Sequence, residues 1–142
     1  MLVTDCHGIV SDYRVYLVVA PKTHLVIAAD RGAAALDAAT QAEPKITAAI
    51  AEAETLPKLI SPDKVADAKA KDADLLAKVA DATAQLEGVA DQLVSITPQQ
   101  YDDGSAAPII QSARTKLQAV RSDLEAARSD LQAIRTDLTP AS

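Results

Sequence analysis

The sequence predicts an all-α protein: an elongated antiparallel three-helix bundle or coiled coil behind a short apolar N-terminal lead. One observation is a heptad ladder near the C-terminus, where Ala113-Arg114-Thr115-Lys116-Leu117 is echoed by Val120-Arg121-Ser122-Asp123-Leu124, Ala127-Arg128-Ser129-Asp130-Leu131 and Ile134-Arg135-Thr136-Asp137-Leu138. Its apolar residues alternate steps of three and four, the seam of a helix packed along another helix. A second seam runs through Val65, Ala68, Leu75, Val79, Ala82, Leu86, Val89, Leu93 and Ile96, broken only by Asp72. The third observation is composition. Of 142 residues 49% are hydrophobic, yet there is no Phe or Trp, so the core is built from Ala, Leu, Val and Ile. Alanine stripes bury little area per residue, and stability then comes from length and many small contacts.

Taken in order, residues 1–20 form the lead. Tyr13-Arg14-Val15-Tyr16-Leu17-Val18-Val19 is rich in β-branched and aromatic side chains and favours an extended conformation. A short helix ending before Pro21 and a hairpin through Pro21-Lys22 are the alternatives; the hairpin ranks lowest because an isolated two-stranded ribbon is marginal. Residues 21–142 then make the bundle as one domain. Its first helix is expected over about 21–55, with Pro21 at the first helical position and Leu25, Ala29, Gly32, Leu36, Ala39, Ile46, Ile50 and Ala53 at three/four spacing. Pro44 lies inside it, so a kink or break is expected near Ala42–Lys45.

Ser61-Pro62-Asp63 starts the second helix, as N-cap, first helical residue and dipole-complementing acid. Continuous over 62–97, it would be about 54 Å long. Pro98-Gln99-Gln100-Tyr101-Asp102-Asp103-Gly104-Ser105 reads as a turn-rich connection, and the third helix as about 106–138. Short connections between amphipathic helices make neighbours antiparallel.

Chemistry-bearing residues do not converge. Cys6, His7 and His24 lack the spacing of a zinc site, and neighbours such as Cys6 and His7 diverge rather than form a dyad. No catalytic residue, metal ligand or cofactor is expected, and the chain reads as a non-enzyme. The net charge of -6, interspersed along the helices, disfavours nucleic acid. The longest apolar run, Val15 to Ala20, is too short to cross a bilayer of about 30 Å, and Met1 is followed by no signal-peptide pattern in the chain as given. Asp72 reads as a polar residue that fixes helix register.

Two groups are interaction candidates. Tyr13, Tyr16, Leu17, Val18 and Val19 either cover one end of the bundle or form an adhesive strip for another chain; intramolecular packing is favoured because monomers seldom expose so large an apolar patch. Arg114, Arg121, Arg128 and Arg135 form a column on one side of the third helix. Asp123, Asp130 and Asp137 follow the last three by two residues, so the column reads as a charge row pairing with neighbouring helices, with grip on an acidic partner or phosphate as the alternative.

The stretch from Ile9-Val10-Ser11-Asp12-Tyr13-Arg14-Val15-Tyr16 through Val19-Ala20-Pro21-Lys22 to Asp30-Arg31, the later Leu93-Val94-Ser95-Ile96-Thr97-Pro98, and Ser112-Ala113-Arg114 before the Arg/Asp heptads resemble a family of uncharacterised bacterial proteins, generally predicted to be exported coiled coils. The resemblance implies an exported or surface-associated helical protein, extracellular or at the cell surface, with a cytoplasmic location as the alternative. It brings no activity, ligand or catalytic residue with it. The expected function is a structural or protein-interaction module of spacer or stalk type, binding a protein partner or itself. The alternative is a carrier of a lipid or other apolar ligand in an Ala-lined bundle.

Overall fold

The computed structural model describes residues 2–140, with side chains from residue 22 onward, and is all-helical over that range. Five helices follow one another: α1 (Leu2–Glu54), α2 (Pro62–Leu86), α3 (Val89–Val94), α4 (Pro98–Asp102) and α5 (Ala106–Asp137).

Helix α1 departs from expectation in two ways. Its backbone is already helical from Leu2, so residues 2–20 are not extended and Pro21 does not open the helix. Adding turns to an existing helix avoids the cost of nucleation, which offsets the modest β preference of the lead. Pro44 does not break α1 either. Ala42 and Ile46, on the two sides of Pro44, pack with Ile50 into one cluster with Leu75, Ala127 and Ile134, and this shared burial offsets the missing hydrogen bond.

Helix α2 starts as its sequence dictates. Ser61 is extended at φ -63° and ψ 148°, and its hydroxyl accepts a hydrogen bond from the Lys64 amide at 3.4 Å. The expected unbroken helix over 62–97 is corrected: it divides at Glu87–Gly88, where Gly88 takes the left-handed conformation at φ 75°. A residue with that φ ends the regular helical path, and glycine adopts it without a Cβ clash. Val89, Leu93 and Ile96 beyond the break remain buried. The connection expected over 98–105 contains α4, opened by a capping box: Gln100 N–H donates to the Thr97 hydroxyl at 3.2 Å, and Thr97 N–H to the Gln100 side-chain carbonyl at 2.9 Å. The last helix, α5, lies where it was expected.

The core is a stripe of three clusters. Ala29 shares one with Ala113, Val89 and Leu93; Leu36 shares the next with Val120 and Ala82; Ile46 and Ile50 share the last with Ala127, Ile134, Leu75 and Ala68. Residue numbers thus rise together on α1 and α5 and fall on α2. At one end the Lys22 ammonium donates to the carbonyl of Ile96 at 2.9 Å. Toward the other, Glu54 of α1 pairs with Lys69 of α2. Contact is most extensive between α2 and α5; α1 lies against both with less. Gly32 of α1 packs against both α2 and α5: a Cβ there would stand 3.4 Å from Val120 Cγ1 and 3.6 Å from Leu86 Cδ2.

Candidate functional site

From Gly32 to Ala42, α1 carries nearly nothing but methyl groups apart from Leu36, Asp37 and the polar pair Thr40 and Gln41. Methyls cannot reach across to a long helix, so space remains between α1 and α5. A groove of about 820 Å³ opens beside this stretch, between residues 24–32 of α1 and the facing part of α5, floored by Leu25, Ile27, Leu117, Val120 and Leu124. A cleft of about 360 Å³, lined by Ala35, Ala38, Ala39, Ala42 and Ile46 of α1 and by Leu124, Ala127 and Leu131 of α5, adjoins it through shared Leu124 and Arg128.

Basic groups edge the apolar floor. Arg114, Arg121 and Arg128 contribute from α5, and His24 and Arg31 from α1. Among the described residues Glu125 is the one acid in the lining, and the Arg121 guanidinium bonds it at 3.1 Å, one turn along the same exposed helix face. Arg31, Arg114 and Arg128 have no ion-pair partner among the described residues. The groove is thus apolar below and cationic at its edge, on a chain whose net charge is -6.

The structure brings three of the four expected arginines to one groove; Arg135 is exposed but is not among its walls. The pairing expected for this column is corrected. Asp123, Asp130 and Asp137 turn toward α2, where they meet Asp81, Asp74 and Asp67, and the arginines stay on the solvent side. The reason is heptad geometry: two residues along a helix rotate a side chain by about 200°, so the Arg and Asp rows occupy different faces. Tyr13, Tyr16, Leu17, Val18 and Val19 lie outside the residues whose side chains are described, as do Cys6 and His7. Sequence reading missed His24 and Arg31 as partners of the α5 column, although their seven-residue separation matches the arginine spacing.

Asp72, expected to set register, is half-buried and faces Glu43 of α1. Asp72 Oδ1 and Glu43 Oε2 are buried without a hydrogen-bond partner. Burial, reinforced by the facing Asp72 carboxyl, pushes the Glu43 carboxyl up to about 7. Among the described residues there is no group of three or more His, Cys, Asp or Glu placed to hold a metal ion, and no helix long and apolar enough to cross a membrane.

These features define a class, an all-helical protein of packed helices with a cationic, apolar-floored groove. Comparison with protein-family models, with curated proteins and with solved structures finds no match.

Proposed function

We propose that this chain is a non-enzymatic interaction module: an antiparallel three-helix bundle, used as a spacer or stalk outside the cytoplasm, whose α1/α5 groove receives an amphipathic helix of a protein partner with acidic residues at heptad spacing. The observation that carries this reading is the cationic edge on the apolar groove. Arg114, Arg121 and Arg128 stand seven residues apart, about 10.5 Å along the axis, and a docked helix with Asp or Glu every seventh residue would meet all three. Its apolar face would cover Leu117, Val120 and Leu124 and turn three helices into four, a common way for helical partners to bury a stripe. The antiparallel order is supported by the clusters that pair rising numbers on α1 and α5 with falling numbers on α2. Placement outside the cytoplasm follows the resemblance to exported coiled-coil proteins.

Fluorescence anisotropy tests it, with a labelled helical peptide of Leu and Ala on one face and Glu at every seventh position. Binding should saturate, weaken with salt, and fall at least about tenfold when Arg114, Arg121 and Arg128 are replaced by Ala. Saturable binding untouched by that triple replacement, or no binding, would overturn the reading. The Ala-lined cleft beside the groove supports a second reading, a carrier of a long-chain apolar ligand. Native mass spectrometry of protein from its own host separates the two: a stoichiometric apolar adduct favours the carrier.

A further inference from the structure

Three rungs of facing carboxyl groups cross the interface of α2 and α5. Asp67 meets Asp137, Asp74 meets Asp130 and Asp81 meets Asp123, each pair one heptad from the next and in opposite chain directions on the two helices. The α5 members turn inward. Asp130 is only 8% exposed, Asp123 and Asp137 are half-buried, and the Oδ2 atom of each is buried without a hydrogen-bond partner. Two ionised carboxylates have acceptors only, so each rung as it stands is an acceptor facing an acceptor. One proton per rung converts it into a donor and an acceptor.

We propose that the α2/α5 interface is a proton-operated zipper, in which acid lets each of the three rungs share a hydrogen between its carboxyl groups and clamp the helices, while rising pH ionises the rungs and loosens the seam. The device is independent of the groove, which lies between α1 and α5.

The charges that act on each rung decide the sign. Lys78 of α2 acts on Asp123, Lys71 and Lys78 on Asp130, and Lys64 and Lys71 on Asp137, all favouring the ionised form. The arginines of α5 stay on its solvent side. Burial, followed by the facing Asp81 and Asp74, outweighs the lysines at Asp123 and Asp130; at Asp137 the facing Asp67 leads and burial follows. All three α5 carboxyls are held above the ordinary aspartate value. A folded-state value raised above the unfolded one contributes stability that is complete below the unfolded value and is lost as pH rises through the folded value. The seam is therefore strongest below the ordinary aspartate value and weakens as pH rises above it.

Thermal melts of the full chain at about pH 5 and about pH 7.5 test this. The wild type should melt higher at the acidic pH by about 5 °C. Lower pH also relieves the general negative charge, so two triple variants separate the causes. Asp123→Asn, Asp130→Asn and Asp137→Asn supplies an amide donor to each rung at any pH; it should raise the melting temperature at pH 7.5 and remove at least about half of the acid-to-neutral difference. Asp30→Asn, Asp37→Asn and Glu87→Gln removes as many charges at exposed positions and should leave that difference in place. Equal or higher melting of the wild type at pH 7.5, or an equal loss of pH dependence in the exposed-site variant, overturns the proposal. Should the rung variant fail to fold, carboxyl-carbon NMR titration of the wild type decides: Asp123, Asp130 and Asp137 must titrate above the other aspartates, and ordinary or lower values refute the zipper.

Discussion

Leu93 is fully buried and Leu124 only half, although both sit on apolar seams with three/four spacing. Leu93→Ala should therefore cost about 2–5 kcal/mol, the range for emptying a closed core site, whereas Leu124→Ala, at the open edge of the groove, should cost about 1–2 kcal/mol. Urea denaturation of both variants checks the order, and a larger loss at Leu124 would show that the groove is closed. Gly32 gives a prediction of opposite sign. An added methyl would meet Val120 and Leu86 at ordinary contact distance, and alanine is favoured over glycine inside a helix by about 1 kcal/mol, so Gly32→Ala should stabilise by about 0.5–1 kcal/mol. Gly88→Ala places a Cβ at φ 75° and should destabilise by about 1 kcal/mol, measured in the same way.

At the scale of helices, the contact of α1 with α2 carries its own pH response. Glu43 and Asp72 repeat across it the problem of the rungs, with Glu43 raised to about 7 by burial and by Asp72. Its stabilising share is present below about 4.5 and is lost as pH rises through about 7. Glu43→Gln, whose amide donates to Asp72 at any pH, should add about 1–2 kcal/mol at pH 8 after discounting for solvent at the helix edge, and nearly nothing at pH 5. Denaturant titrations at the two pH values measure both. Much of the helix pattern was legible in the residues themselves. Ser61-Pro62-Asp63 marks the start of α2, and the heptads mark α5, because capping and periodicity act within a few residues. Gly88 was visible but a lone glycine is tolerated in many helices, and its left-handed conformation follows from how α3 packs. The rungs illustrate the limit more sharply. Asp67, Asp74 and Asp81 repeat every seven residues, as do Asp123, Asp130 and Asp137, yet which row faces which depends on the sliding register of α2 against α5, set by side chains such as Ala68 and Ile134 that pack together from distant parts of the chain. The groove was half legible for the same reason: the arginine column is local, but His24 and Arg31 join it only through the contact of α1 with α5.

As a whole molecule, the chain should give a helix-dominated circular-dichroism spectrum and a scattering envelope clearly longer than it is wide. A compact globule of this length has a radius of gyration of about 14–15 Å, so a measured value well above that supports the elongated bundle and a value at it refutes it. The unequal packing of the three long helices has a kinetic counterpart. Because α2 and α5 meet most extensively while the methyl-faced middle of α1 leaves a cleft beside α5, opening that middle stretch of α1 exposes less apolar surface than parting α2 from α5. Native-state hydrogen exchange should then divide the amides into two cooperative groups: those of α1 between Gly32 and Ala42 exchanging through a partial opening, and those of α2 and α5 holding out until the entire chain unfolds. A molecule built this way would yield in sequence under tension, shedding its alanine helix first and keeping a two-helix remnant.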